Sequence, residues 1–270
     1  MEIRVRDVVF NYEDVGLGRP LLVLHGWPLD HRHVAADMEP LFAERSGWRR
    51  IYPDLPGFGR TSAPEWLASQ DQMLDLVSEF MDTVAPNQRF VLAGTSWGGY
   101  LARGLARRRG EDIDGLLLSV PHFATDERRG ALPERRVLRE DAEFLAALEP
   151  GEESAREIVV MQSMEVLDDQ RRSVLAAIPL HDAAFGERMD EHFSFPLELP
   201  RPFPAPTLIV TGRFDDACGY EDAFRVLGDF PRATFAVLDC AGHALPMEQK
   251  TLFHALVLNW LDRIEEYVSA

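Results

Sequence analysis

The sequence predicts an α/β fold in which a mostly parallel sheet of eight strands is covered by helices on both faces. Short apolar runs alternate with longer helical patterns, and runs such as Leu21–Leu24 are apolar on both faces, as strands inside a covered sheet are. The opening strands, within residues 1–25, have short connections, so we expect them to form an antiparallel edge. The predicted strands cover residues 3–5, 8–12, 21–24, 50–52, 89–93, 115–120, 207–211 and 234–238.

A long section without strand signals interrupts this alternation, and it predicts an inserted all-helical cap over residues 122–205. The core would then consist of residues 1–121 and 206–270. The Pro-rich segment 196–206 leads the chain back into a strand. Helices are predicted in the core at 71–84, 97–109, 221–227 and 248–267, and in the cap at 133–148, 152–167, 170–178 and 182–192.

Composition excludes several classes of partner. The formal net charge of −17 disfavours binding to nucleic acid or to an anionic membrane, because both would repel the surface. No apolar run approaches the length of a membrane span, and the N-terminus does not resemble a secretory signal, so we expect a cytoplasmic protein with a small-molecule substrate. The two cysteines, Cys218 and Cys240, are expected to be reduced.

The strongest catalytic signal is Gly94-Thr95-Ser96-Trp97-Gly98, which joins a buried strand to a helix. A Gly-x-Ser-x-Gly sequence in this context predicts a nucleophile elbow, in which a strained turn exposes the Ser96 hydroxyl. Gly94 and Gly98 would be required because strand and helix approach closely there. The alternative, a nucleotide-binding loop, lacks both the Gly-x-Gly-x-x-Gly spacing and the lysine of a P-loop.

The segment His25-Gly26-Trp27-Pro28, directly after the strand 21–24, resembles the oxyanion loop of the α/β-hydrolase family. The resemblance implies that the backbone N–H groups of Trp27 and Trp97 form an oxyanion hole, and that His25 and Gly26 support this loop. Residues 54–59, Asp-Leu-Pro-Gly-Phe-Gly, match another loop of the family, with a role in backbone geometry. His31 and His33 are expected at the surface or at a helix start.

His243 is the predicted base, because it follows the last strand and strand ends of a parallel sheet converge on one crevice. The family places a Gly-His pair here. Its acid loop, in which Gly-Arg-x-Asp is common, resembles Gly212-Arg213-Phe214-Asp215, which makes Asp215 the expected acid. The neighbouring Asp216 remains the alternative. Family order along the chain, Ser then Asp then His, is also met.

The cap is expected to cover this crevice, so its apolar residues are candidates for a narrow substrate pocket. The candidates are Phe123, Phe144, Met161, Met164, Phe185 and Phe193. Apolar residues at helical spacing also form the core of a cap, and that interpretation is the simpler one for each of them.

Together the motifs predict a serine hydrolase that acts on a carboxylic ester, lactone or related acyl compound through an acyl-enzyme, without metal or organic cofactor. Haloalkane dehalogenases and epoxide hydrolases resemble the chain at the His-Gly loop but need a carboxylate where Ser96 stands. Hydrolases of carbon–carbon bonds in ring-cleavage products remain an alternative, although their usual Trp after the catalytic His is replaced by Ala244. A ligand receptor on the same fold, with slow turnover, is a second alternative.

Overall fold

A computed structural model describes residues 1–123, 132–190 and 198–269. Its strands form one eight-stranded sheet in the order β1-β2-β4-β3-β5-β6-β7-β8. Strand β2 pairs antiparallel with both β1 and β4, and the other pairs are parallel. The predicted sheet and its antiparallel edge are therefore confirmed. The strands are β1 Glu2–Val5, β2 Val8–Gly16, β3 Arg19–Leu24, β4 Trp48–Pro53, β5 Phe90–Thr95, β6 Ile113–Ser119, β7 Thr207–Gly212 and β8 Ala233–Leu238.

Both faces of the sheet are buried, as the apolar strands predict. Along β3, Leu22 and Leu24 enter one hydrophobic core, whereas Leu21 and Val23 enter the core on the opposite face. These side chains are fully or almost fully buried. Since successive side chains of a strand point to opposite faces, a run of apolar residues is what a doubly covered strand requires.

The core helices are α1 His31–Met38, α2 Gln70–Val84, α3 Trp97–Arg109, α8 Glu221–Arg225, α9 Leu245–Glu248 and α10 Lys250–Ser269. Helix α2 begins after Ser69, whose hydroxyl accepts from the Gln72 N–H at 3.3 Å, and α3 has the bounds predicted from the sequence. Helix α1 was not predicted. It is short and starts at the Asp30 side chain, which caps it by accepting from the Arg32 N–H at 3.0 Å.

Between β6 and β7, the described residues form the short helices α4 Ala142–Ala147, α5 Glu153–Glu157, α6 Met164–Gln170 and α7 Ala183–Asp190. The predicted helices 133–148 and 152–167 are too long. Asp141 and Ser163 cap new helices inside these ranges, and Arg139 pairs with Met161 in an isolated β-bridge. The division into a core and a cap stays a proposal.

Two further expectations concern histidine and cysteine. His31 is the first residue of α1, at the predicted helix start, but His33 is buried and burial lowers its pKa to about 3. His33, the third residue of α1, meets the helix-start alternative but not the surface one, because α1 turns this residue toward the core. Cys218 and Cys240 are both free thiols.

Among the described helices, none combines the length and apolarity that crossing a lipid bilayer demands.

Candidate active site

Ser96 occupies a sharp turn between β5 and α3. Its backbone has φ +54° and ψ −118°, a conformation that costs a non-glycine residue about 1–3 kcal/mol and persists only when the surroundings impose it. Two hydrogen bonds hold the turn: the Ser96 N–H donates to the Ser119 carbonyl at 2.9 Å, and the Ser96 carbonyl accepts from the His122 N–H at 3.2 Å. The chain thus holds the side chain of Ser96 at the end of the sheet.

The glycines around Ser96 are required by close backbone approach. A Cβ atom on Gly94 would lie 2.2 Å from the Gly98 carbonyl oxygen, and one on Gly98 would lie 2.3 Å from the Leu24 carbonyl oxygen. Both distances are far below van der Waals contact, and both clashes are with backbone that cannot rotate away. Any side chain at either position would therefore force β5, α3 and β3 apart.

The loops that follow β7 and β8 bring an imidazole and a carboxylate to this turn. His243 Nε2 lies 3.0 Å from Ser96 Oγ, and His243 Nδ1 lies 3.0 and 3.2 Å from the two carboxylate oxygens of Asp215. With the proton on Nδ1, the ring donates to Asp215 and accepts from the Ser96 hydroxyl. Residues separated by up to 147 positions in the sequence therefore form one continuous chain of hydrogen bonds.

The pKa values support this arrangement of the hydrogen bonds, in which the imidazole proton lies on Nδ1. Burial alone would raise the pKa of the Asp215 carboxyl, but the His243 ring and the N–H groups of Cys218 and Ala217 lower it overall. Burial alone would lower the pKa of the His243 imidazole, but the Asp215 carboxylate raises it well above its usual value. The carboxylate is thus held ionised, where it favours a proton on the imidazole.

The loop after β3 lies directly against Ser96. A Cβ on Gly26 would lie 3.3 Å from the Ser96 Cβ, so only glycine lets the loop approach this closely without displacement. No backbone hydrogen bond within residues 1–123, 132–190 and 198–269 uses the N–H of Trp27 or of Trp97. Trp97 directly follows Ser96 and Trp27 follows Gly26, and α3 adds the positive end of its dipole at this turn.

His25 holds this loop in place. Its Nδ1 donates to the Gly26 carbonyl at 2.9 Å, and its Nε2 accepts from the Leu55 N–H at 3.0 Å. The ring is fully buried, and burial lowers its pKa. With both nitrogens engaged and the ring neutral, His25 acts as a brace between two loops and not as a proton carrier.

A cluster of aromatic rings connects the cap segment to the loop after β3. Phe185 of α7 lies 6.2 Å from Trp27 and 5.8 Å from Phe58 between ring centroids, and Trp27 lies 5.3 Å from Trp97. A Cβ on Gly57 would lie 2.1 Å from the Phe185 ring. Gly57 in the 54–59 loop thus leaves the space that the Phe185 ring occupies.

The other candidate pocket residues lie in different places. Phe123 belongs to the same core cluster as Trp97 and Phe185, with the Arg103 guanidinium 4.5 Å from its ring centroid. Phe144 and Met164 pack in a separate cluster inside the cap segment, and Met161 forms the β-bridge with Arg139. Phe193 lies outside the described residues. We therefore leave Phe144 and Met164 out of the proposed pocket.

Glu248, at the end of α9, is a residue of the site that sequence reasoning missed. One carboxylate oxygen accepts from the Val160 and Met161 N–H groups at 2.5 and 2.9 Å, and the other accepts from the Gly242 N–H at 2.6 Å. Gly242 precedes His243, and residues 160 and 161 belong to the cap segment. Glu248 therefore joins the segment between β6 and β7 to the loop that carries the imidazole.

We expect Glu248→Gln to lower the free energy of unfolding by about 1–3 kcal/mol, because its amide NH₂ would face a backbone N–H that then has no acceptor. A fall in kcat should accompany this loss, since the His243 loop is released on one side. Chemical denaturation and steady-state kinetics measure the two effects. Glu266→Gln makes the same change at an exposed position of α10 and should alter neither quantity. Equal behaviour of the two variants would contradict the bridging role.

Cys218 and His122 are two more residues near Ser96 that the sequence did not single out. The Cys218 thiol and the His243 ring offer atoms within 4.8 Å of each other, and His122 is the second histidine that acts on the pKa of this thiol. Burial alone would raise the pKa of this thiol, but the two histidines lower it overall. Cys218 also contributes its backbone N–H to Asp215, at 2.8 Å.

Comparison with known proteins identifies relatives of the chain. Residues 21–255 match the model of the alpha/beta hydrolase family. The pimeloyl-[acyl-carrier protein] methyl ester esterase of Shewanella woodyi is 26% identical over 262 residues, which cover 94% of this chain and 98% of the esterase. The AB hydrolase superfamily protein YisY of Bacillus subtilis is 39% identical over 112 residues, and the match spans only 41% of each protein.

Solved structures are similar over nearly the whole chain. An alpha/beta superfamily hydrolase from Oenococcus oeni PSU-1 has a TM-score of 0.86 at 25% identity, covering 98% of this chain and 99% of that protein. A thermophilic esterase from Thermogutta terrifontis has a TM-score of 0.68 at 30% identity, covering 95% and 94%.

Proposed function

This chain belongs to the alpha/beta hydrolase family, and from that premise we propose that it is a serine hydrolase acting on a carboxylic ester, lactone or related acyl compound of small to medium size. The observation that carries the proposal is the chain of contacts from Ser96 Oγ through the His243 imidazole to the Asp215 carboxylate. Such a chain is the arrangement that turns a hydroxyl into a nucleophile at neutral pH.

In the proposed reaction, Ser96 Oγ attacks the acyl carbon while His243 Nε2 accepts the hydroxyl proton. Asp215 keeps the imidazole in the required tautomer and stabilises its cation. The N–H groups of Trp27 and Trp97 stabilise the tetrahedral oxyanion, and each such donor is worth about 10²–10³ in rate. His243 then gives the proton to the leaving alcohol, and water releases the acyl group by the reverse sequence. This chemistry needs no cofactor.

Two observations favour an ester over the other substrates of this fold. A relative matched over nearly its whole length is named as a methyl ester esterase, and a structural relative at 30% identity is an esterase. Trp27, Trp97, Phe123 and Phe185 belong to one apolar cluster next to the proposed nucleophile, and apolar surroundings suit an uncharged acyl group.

The proposal is tested with a panel of p-nitrophenyl esters, lactones and dienoate ketones, together with a fluorophosphonate probe. We expect sustained turnover of esters or lactones, and labelling of Ser96 alone. Turnover restricted to dienoate ketones would support a carbon–carbon bond hydrolase instead. One or a few cycles on every substrate would support a receptor, and absence of labelling in folded protein would contradict an activated serine.

The pH profile should report the environment of His243. The base must be neutral to accept a proton, and its pKa is raised by Asp215, so kcat/KM should rise with pH through a midpoint above the ordinary imidazole value of about 6.5. Steady-state rates across the pH range measure the midpoint. Circular dichroism over the same range checks that the fold is intact. A midpoint below 6.5 would contradict the proposed pair.

A further inference from the structure

The side chains of Cys218, His243 and Asp215 form a cluster that the proposed reaction uses only in part. Each offers a ligand atom, and these atoms all lie within 4.8 Å of one another. The thiol has no role in the proposed proton transfers. A buried thiol beside an imidazole and a carboxylate is, however, a combination that divalent zinc binds readily.

We propose that Cys218, His243 and Asp215 form an inhibitory site for a thiophilic divalent cation such as Zn²⁺. Zinc binds sulfur at about 2.3 Å, and nitrogen or carboxylate oxygen at about 2.0–2.2 Å, in tetrahedral geometry. The three ligand atoms already lie within 4.8 Å of one another, so binding requires them to draw together around the ion. The fourth position is left for water.

Charge balance favours the cation at this place. Binding converts the thiol to a thiolate and releases one proton to solvent, so the thiolate and the Asp215 carboxylate together neutralise a divalent ion. Asp215 is fully buried and accepts from the N–H groups of Ala217 and Cys218, and the cation would add a full positive charge beside this carboxylate. Thiolate and imidazole ligands select zinc over magnesium or calcium, which prefer oxygen.

Inhibition follows from the imidazole tautomer. Asp215 faces Nδ1, so the metal in this cluster takes the Nδ1 lone pair and the ring proton moves through solvent to Nε2. A protonated Nε2 cannot accept the Ser96 proton. This loss of activity rests on the proposed function, whereas binding of the metal does not.

A second cluster with the same spacing, formed by Asp30, His31 and Asp54, is a weaker candidate. Asp30 already caps α1 and pairs with Arg32, and Asp54 accepts from Asn11 and from the Arg60 N–H at 2.8 and 2.9 Å. Its His31 Nδ1 also lies 2.6 Å from an Asp54 oxygen. These contacts explain the group as a support of the oxyanion loop, and it contains no thiol.

The test uses Co²⁺ as a spectroscopic substitute for Zn²⁺ on the purified full chain. We expect a thiolate-to-cobalt charge-transfer band that Zn²⁺ abolishes by displacement. In Cys218→Ser the band should vanish, and calorimetry should show Zn²⁺ affinity reduced by more than ~10-fold. Cys240→Ser removes the other thiol and His31→Gln disables the second cluster, and both should keep the band. No band in the wild type, or a band that survives Cys218→Ser, would overturn the site.

Inhibition is measured separately, with each variant compared to its own metal-free rate. Zn²⁺ should inhibit the wild type and suppress fluorophosphonate labelling of Ser96, and a chelator should restore both. The Zn²⁺ concentration for half inhibition should rise more than ~10-fold in Cys218→Ser. Unchanged inhibition in that variant, or cobalt binding without any inhibition, would overturn the proposal. Absence of labelling in metal-free wild type would instead count against the proposed function, while the cobalt spectrum still decides the site.

Discussion

Replacing Ser96 with alanine should lower kcat for any accepted ester by at least ~10³, the loss expected when the nucleophile of an acyl-enzyme mechanism is removed. The fold should be retained, because alanine carries the same Cβ into the strained turn and the backbone hydrogen bonds of Ser96 do not use its hydroxyl. Steady-state kinetics and thermal unfolding of the purified variant measure the two quantities. The residual rate should come from the oxyanion donors and substrate binding alone.

Ser62→Ala is the matched control, because it removes a hydroxyl from an exposed serine away from the turn. It should leave kcat and fluorophosphonate labelling at the wild-type level. Retained hydrolysis in Ser96→Ala would place the nucleophile elsewhere. A large drop in melting temperature in the same variant would show that a folding defect, and not lost chemistry, explains the lost rate.

Much of the fold could be predicted because local sequence decides it. Strands such as β3 and β5 are buried on both faces, so their sequences are nearly continuous apolar runs. In addition, β5 and α3 are joined by a motif whose glycines have no substitute. The packing at Gly94 and Gly98, where a Cβ would meet backbone at 2.2 and 2.3 Å, gives the physical reason. Such constraints are visible in a single sequence.

The packing of residues between β6 and β7 and the contacts of Glu248 could not be predicted, because the partners of these residues are distant in the sequence. Phe144 and Phe185 are the same residue type in similar helical patterns, yet one packs inside the cap and the other contacts Trp27. Only tertiary packing distinguishes them. Glu248 binds backbone N–H groups up to 88 residues away, and a backbone donor leaves no mark on the sequence.

The second large loss of activity is expected on replacing the carboxylate that pairs with His243, for which Asp215 and Asp216 are the two candidates. Asp215→Asn should lower kcat/KM by about 10³–10⁴, as the loss of tautomer control predicts. The asparagine carbonyl would still accept hydrogen bonds from the N–H groups of Ala217 and Cys218, so the asparagine NH₂ would face His243 Nδ1. Two donors cannot pair, and the ring would turn to the tautomer protonated at Nε2.

Asp216→Asn is the matched control for this substitution, since it makes the same chemical change at the next residue. Only the Asp215 oxygens lie within 3.2 Å of His243 Nδ1 among the described residues, so the control should keep nearly full activity. Kinetics of both variants on one ester, with unfolding curves to show equal folding, decide between them. A larger loss in Asp216→Asn would assign the role of the acid to Asp216. The tautomer of His243 would then be controlled by an Asp216 carboxylate that approaches the ring in a conformation adopted in solution.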